Sequence, residues 1–189
     1  GRGKQVFAVA PRVAPGGSVL GVDISGPAVA EVRRRAQAEG LDHVTAIELH
    51  LDACCQDLAG QRFDLLLSAY ALYYATDVVG LIRGLRDLLA PGGQAFFCGY
   101  GAGTNREMVD LVNAAGAGPA AEAVGDWLSA EQIAAAAEPY GRHEILRLDN
   151  RVRFATADAV LGWWRNHNSY VPDRAPAVRE AVEAAVARE

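Results

Sequence analysis

The chain has 189 residues, of which 51% are hydrophobic and 22% charged, enough apolar material for a packed domain and too much for a disordered chain. A formal net charge of −5 and a pI near 5.4 give no basic field to hold a phosphate backbone, so nucleic acid is not expected as a partner. No run approaches the roughly 18 apolar residues of a membrane span, and Cys54, Cys55 and Cys98 make neither a disulfide framework nor a paired metal motif.

Reduced thiols of this kind fit a cytoplasmic protein. Lys4 is the sole lysine, which removes mechanisms that need a lysine deep in the chain, such as a Schiff base or a Tyr-x-x-x-Lys pair.

The chain opens Gly1-Arg2-Gly3-Lys4 and continues helix-like to Val13, with Pro11 an unusual guest because it removes a helical hydrogen bond. Residues 18–24 (SVLGVDI) follow a Pro-Gly-Gly turn and are β-branched, which predicts a strand. A helix is expected over 27–39, with Ser25 as its cap, Pro27 in its first turn and Gly40 just past its end. Residues 44–50 read as a second strand. Residues 63–69 (FDLLLSA) read as a third, a nearly continuous apolar run suited to a parallel strand covered on both faces. Asp77 can cap a helix running to about Leu89, since Val78, Leu81, Ile82, Leu85, Leu88 and Leu89 recur at helical spacing. Pro91-Gly92-Gly93 then ends it, and residues 94–100 (QAFFCGY) make a fourth strand. This alternation predicts an α/β fold with a mostly parallel, Rossmann-like sheet and helices on both faces. Beyond Tyr100 the pattern turns helical at 105–115, 129–140, 156–166 and 175–188, with one further strand expected at 143–148. The expected division is a domain over 1–150 and a helical segment over 151–189.

A glycine turn entering a helix lets backbone approach a ligand and aims free N–H groups at it. Asp23 lies 20 residues beyond Gly3, at the end of the next strand. In nucleotide-binding α/β folds a carboxylate at that spacing accepts from ribose hydroxyls; the alternative is a turn residue capping the following helix. Asp52, ending the next strand in His50-Leu51-Asp52-Ala53, is either a carboxylate for an exocyclic amine or a helix cap. Ser68, Ala69 and Tyr70 end the third strand with small residues and then an aromatic, which leaves room for a ligand at the carboxyl ends of the strands.

Taken together, Gly-x-Gly, Gly-Val-Asp-Ile-Ser, Leu-Asp-Ala, Phe-Asp-Leu-Leu-Leu-Ser and Leu-Leu-Ala-Pro-Gly-Gly resemble the class I S-adenosylmethionine-dependent methyltransferases, most of all their small-molecule branch, over about residues 1–100. The resemblance implies S-adenosyl-L-methionine as cofactor. Gly1 and Gly3 match the loop beside its methionine part, Asp23 the ribose carboxylate and Ile24 the apolar residue beside the adenine. Asp52 and Ala53 match the pair at the adenine edge, and Ser68, Ala69 and Tyr70 the segment facing cofactor and acceptor. Relative to that family the chain begins inside the glycine loop and ends before a final antiparallel strand, so it looks truncated at both ends. A missing first strand would leave strands 18–24 and 63–69 unpaired with each other, about two strand spacings or roughly 9.6 Å apart.

The expected function is methyl transfer to an O, N or C atom of a small molecule, in keeping with an alanine- and arginine-rich composition that suits specialised metabolism. Proximity and exclusion of water carry much of such a reaction. An oxygen acceptor also needs a base, for which His167 in Trp163-Trp164-Arg165-Asn166-His167 and Tyr70 are the candidates, with Tyr73 and Tyr74 as alternatives. Residues 163–170 fall where the family adds lid helices. Adjacent tryptophans cannot both face one core on a helix, so one is expected to line a pocket or an interface. Two rivals remain, a NAD(P)-dependent oxidoreductase and a non-catalytic scaffold homologue; against the first, Val6 stands where its fingerprint wants a third glycine. The histidines are scattered and no HExxH occurs, so no metal site is expected. The oligomeric state is left open.

Overall fold

The computed structural model describes residues 1–115, 125–166 and 170–187. They form two compact units: Gly1–Cys98 with Ala130–Gly141, and Gly99–Ser129 with Arg142–Glu189. These contact units are drawn differently from a division at residue 150, because helical residues 130–141 return to the strand-bearing unit.

The first unit follows the predicted order. Helix α1 (Lys4–Val13) leads to strand β1 (Val19–Asp23), α2 (Gly26–Ala38), β2 (Val44–Glu48), the short α3 (Cys54–Asp57), β3 (Phe63–Ala69), α4 (Val78–Leu85) and β4 (Leu89–Cys98). The caps act as their residue types dictate. Ser25 Oγ accepts from the Ala28 N–H at 3.3 Å and Asp77 Oδ1 from the Gly80 N–H at 2.8 Å, each satisfying one orphan donor of a helix start.

Both ladders are parallel. β1 pairs with β2 from Val19↔Val44 to Asp23↔Glu48, and β3 pairs with β4 up to Ala69↔Cys98. β1 and β3 are not hydrogen-bonded to each other; the two pairs form separate two-stranded sheets. The largest difference from the expected boundaries is at the start of β4. Leu89 pairs with Phe63 and Gln94 with Leu65, so residues 90–93 bulge within β4 instead of preceding it. Gly92 at φ +79° supplies the left-handed turn that such a bulge needs.

Side chains from α1 and α2 meet the face of the first sheet that carries Val19, Val44 and Ala46, and bury Ala10, Val29, Val32 and Ala36 between them. Each buried valine contributes about 1.5–3 kcal/mol, and small alanines permit the close helix–sheet approach. Beside β4, the Tyr140 ring packs edge-on against Phe97 and its hydroxyl donates to the Ile82 carbonyl at 2.6 Å. Arg83 of α4 donates to the Ala135 carbonyl of α6 (Ala130–Ala137) at 2.8 Å and pairs with Glu138. Leu65, Leu67 and Phe96 point to a face left 42–51% exposed.

The second unit is helical: α5 (Arg106–Ala114), α7 (Ala157–Trp164) and α8 (Ala175–Val186) enclose Met108, Val112, Leu161, Trp164, Val178 and Val182. Trp164 is fully buried, whereas Trp163 packs at the margin of the same cluster and against Phe154. The strand expected at 143–148 is not formed. Ile145, Leu146 and Leu148 are 64–85% exposed, and the segment pairs with no strand among the described residues. A partly apolar segment makes a strand only where a neighbour completes its ladder.

Candidate active site

The carboxyl ends of β1, β2 and β3, with the glycine turn before α1, enclose a crevice of about 480 Å³ in the first unit. Gly1 and Gly3 line it from the turn, Asp23 and Ile24 from the end of β1, and Leu67, Ser68, Ala69 and Tyr70 from the end of β3. This is where an open α/β sheet offers room for a ligand, beyond the carboxyl ends of its strands.

Gly3 has φ +72°, and a Cβ added there would meet Phe7 and Val32 at 2.8 Å. The turn can therefore be made by glycine alone, and it opens α1 with backbone on the crevice wall. The Asp23 side chain is 27% exposed, and its Oδ1 accepts from the Ser25 N–H at 2.8 Å. The glycine turn and the carboxylate line the same crevice, as their spacing of 20 residues predicts. A backbone-lined approach, one carboxylate and an apolar remainder (Val22, Ile24, Leu49 and Leu51) fit a nucleoside-bearing ligand: hydroxyls for the carboxylate, a flat base for the apolar wall.

The two residues predicted for the base edge directly follow residues of the crevice wall. Asp52 and Ala53 form the single helical turn Leu51–Ala53 and are not on the crevice wall; the residues before them, His50 and Leu51, are. Asp52 Oδ1 accepts from the Thr76 N–H at 3.0 Å and Oδ2 from the Thr76 hydroxyl at 2.6 Å. These two bonds hold the carboxyl below the usual aspartate range. His50 and Leu51 were missed by sequence reasoning; their signal was their place just before Asp52 at the end of a strand.

Tyr70 follows β3 in the left-handed region at φ +57°, uncommon for a bulky side chain and worth about 1–3 kcal/mol of strain. Its N–H continues the ladder to the Cys98 carbonyl at 2.8 Å. Its hydroxyl is hydrogen-bonded to the Cys98 thiol, whose charge repulsion, followed by burial, pushes the phenol up. These causes favour the phenol form of Tyr70 over the phenolate. Tyr74 also lines the crevice and is 74% exposed, its ring tilted against Tyr73 with centroids 4.6 Å apart. His167 lies outside the described residues. Burial pushes the Cys54 thiol up to about 11 and that of Cys55 upward, so neither is a thiolate nucleophile. Among the described residues no cluster of three or more His, Cys, Asp or Glu is placed to hold a metal, and no helix is long and apolar enough to cross a membrane.

Residues 1–93 match the family model described as a methyltransferase domain. Over 97 residues the chain is 31% identical to the aklanonic acid methyltransferase DauC of Streptomyces sp. (strain C5), covering 51% of this chain and 43% of that protein. Over 82 residues it is 27% identical to the ubiquinone biosynthesis O-methyltransferase of Acinetobacter baumannii (strain AYE), covering 43% of this chain and 34% of that protein. The chain therefore matches less than half the length of these curated relatives. Both matches and the crevice at the strand ends concern the same part of the chain, the residues 1–93 that resemble a methyltransferase domain.

Proposed function

We propose that the crevice binds S-adenosyl-L-methionine and that the protein transfers a methyl group to an O, N or C atom of a small molecule in specialised metabolism. The observation that carries this reading is the convergence of Gly3, Asp23 and the 68–70 strand end on one cavity inside the segment that matches methyltransferase domains. The names of the two relatives support a small-molecule acceptor, and one of them an oxygen acceptor. Nothing in the crevice favours a nicotinamide oxidoreductase or a scaffold.

When bound, the cofactor supplies an electrophilic sulfonium methyl. The chain's own part is to bind, orient and shield. The glycine turn brings backbone to the methionine end, Asp23 accepts from ribose hydroxyls, and Ile24, Leu49 and Leu51 give an apolar wall to the base. Ser68 and Ala69 are small enough to leave the acceptor space at the strand end, and the exposed Tyr70 ring borders that space. Alignment and loss of bulk water supply most of the acceleration. For an oxygen acceptor the base we propose is His167. The net charge of −5 and the free thiols support a cytoplasmic protein without nucleic-acid partners.

Calorimetric titration with S-adenosylhomocysteine against NAD tests the reading. Saturable binding of the first alone is expected; binding of NAD alone, or of neither, overturns it.

A further inference from the structure

Two tyrosine rings stand at the mouth of the crevice just past the end of β3. Tyr70 is 59% exposed and Tyr74 74% exposed, and both line the cavity. Beside them Ser68, Ala69 and Ala71 add little volume to the wall, so the space that the rings border stays open.

Single exposed aromatics are ordinary on a protein surface. These two differ in being held. Leu72, 2% exposed, roots the segment between them in the core. The backbone there turns on itself, the Tyr74 N–H donating to the Ala71 carbonyl and the Ala75 N–H to the Leu72 carbonyl, each at 3.0 Å. Tyr70 is tied through its N–H to the Cys98 carbonyl at 2.8 Å and through its hydroxyl to the Cys98 thiol. The Tyr74 ring leans on Tyr73, with centroids 4.6 Å apart and planes at 52°. Tyr70 also keeps its left-handed backbone at φ +57°, which a bulky residue holds only where its surroundings enforce it.

A tyrosine that is already fixed loses little conformational freedom when a ligand settles on it, and its face offers a flat apolar area. Such faces favour offset or edge-to-face contact with another ring. Charge is poorly provided for by comparison. Among the described residues no arginine or lysine lines the crevice, and the acidic side chain on its wall, Asp23, stands at the end of β1, whereas both tyrosines follow β3.

We propose that the methyl acceptor is a planar aromatic molecule, received by the rings of Tyr70 and Tyr74 at the mouth of the crevice and recognised through its ring faces instead of an ion pair. This rests on the reading of the crevice as the methyl-transfer site.

Calorimetry on the full 189-residue chain with S-adenosylhomocysteine present tests it, with naphthol and its saturated counterpart decahydronaphthol as probes, in parent, Tyr70→Leu, Tyr74→Leu and Tyr74→Phe. Naphthol should bind at least about threefold more tightly than decahydronaphthol, although the saturated molecule is the more apolar, because only a flat ring can meet the tyrosine faces. The two leucine variants keep an apolar side chain but lose the ring. Each should weaken naphthol by roughly two- to tenfold and leave decahydronaphthol within about twofold. Tyr74→Phe, which keeps the ring, should match the parent. Affinity for S-adenosylhomocysteine should stay within about twofold throughout. Equal or tighter binding of decahydronaphthol, no saturable binding of naphthol, or unchanged naphthol binding in both leucine variants overturns the proposal. So does a parallel loss of S-adenosylhomocysteine affinity in the leucine variants, which assigns the rings to the cofactor. If the parent does not bind S-adenosylhomocysteine, the cofactor reading falls, and the comparison of the two probes still decides whether the mouth selects flat rings.

Discussion

The two compact units of this protein are built from different material and expose different kinds of group. In the unit of Gly1–Cys98 and Ala130–Gly141, valines and alanines of two helices pack on strands, and the strand ends are left as a crevice with a carboxylate and two exposed tyrosines. In the unit of Gly99–Ser129 and Arg142–Glu189, helices close around a fully buried tryptophan. The match to methyltransferase domains ends at residue 93, inside the first unit. The difference teaches where a fold of this kind leaves room for a site. A parallel sheet ends all its strands on one side and so gathers side chains from distant sequence positions into one place, whereas a helical cluster turns its strongest side chains inward.

That contrast can be broken at the tryptophan. Trp164→Ala removes the largest fully buried side chain of the second unit and should cost about 3–5 kcal/mol. All three tryptophans, Trp127, Trp163 and Trp164, belong to the second unit, so intrinsic fluorescence of the remaining two reports that unit and S-adenosylhomocysteine titration reports the first. An early fluorescence transition with nearly unchanged ligand affinity is expected; parallel loss of both would show that the units do not act separately.

From the other side, Asp23→Ala should weaken S-adenosylmethionine binding at least about tenfold, since charge-assisted bonds to hydroxyls contribute roughly 1.5–3 kcal/mol each. The fluorescence transition of the second unit should stay put. Unchanged affinity by calorimetry would remove Asp23 from the site.

Ser25→Ala is a smaller lesion of the first unit. It deletes the acceptor for the Ala28 N–H at the start of α2 and should destabilise by about 1 kcal/mol, read as a lower denaturant midpoint by far-ultraviolet circular dichroism.

The finest probe is the Asp52 carboxyl, followed by carbon NMR across acid pH. Its folded-state value is depressed by the Thr76 bonds, so the contact's contribution is fully present above the unfolded aspartate value of about 3.9 and is lost as pH falls through the lowered folded value. A midpoint below about 3.9 that returns towards it in Thr76→Val is expected; an ordinary midpoint in the parent would show the contact to be absent in solution.

Much of the first unit was legible because its signals are local. Ser25 and Asp77 cap helices with atoms three residues away, and the apolar run of residues 63–69 forms β3 at its predicted limits. The spacing of Gly3 and Asp23 placed both on one crevice, since a turn, a helix and a strand of ordinary length return the chain to the same sheet end. Asp52 was legible as a carboxylate at a strand end, but its partner was not, because nothing near it in sequence marks Thr76. The adjacent tryptophans divide as a helix requires: Trp164 is buried in the cluster and lines a cavity beside it, while Trp163 packs at the margin and against Phe154, a residue outside its helix.

The sequence by itself determined the alternation of strands and helices, the helix caps and the glycine turn that only glycine can make, since each follows from residues within a turn or two of one another. Tertiary structure alone decided the left-handed backbone of Tyr70, the bulge of residues 90–93 within β4, the missing strand at 143–148 and the Asp52–Thr76 contact. Each of these turns on a hydrogen-bond partner, present or lacking, that lies far away in sequence, and the free energy of a ladder or a buried contact exists only once both partners are in place.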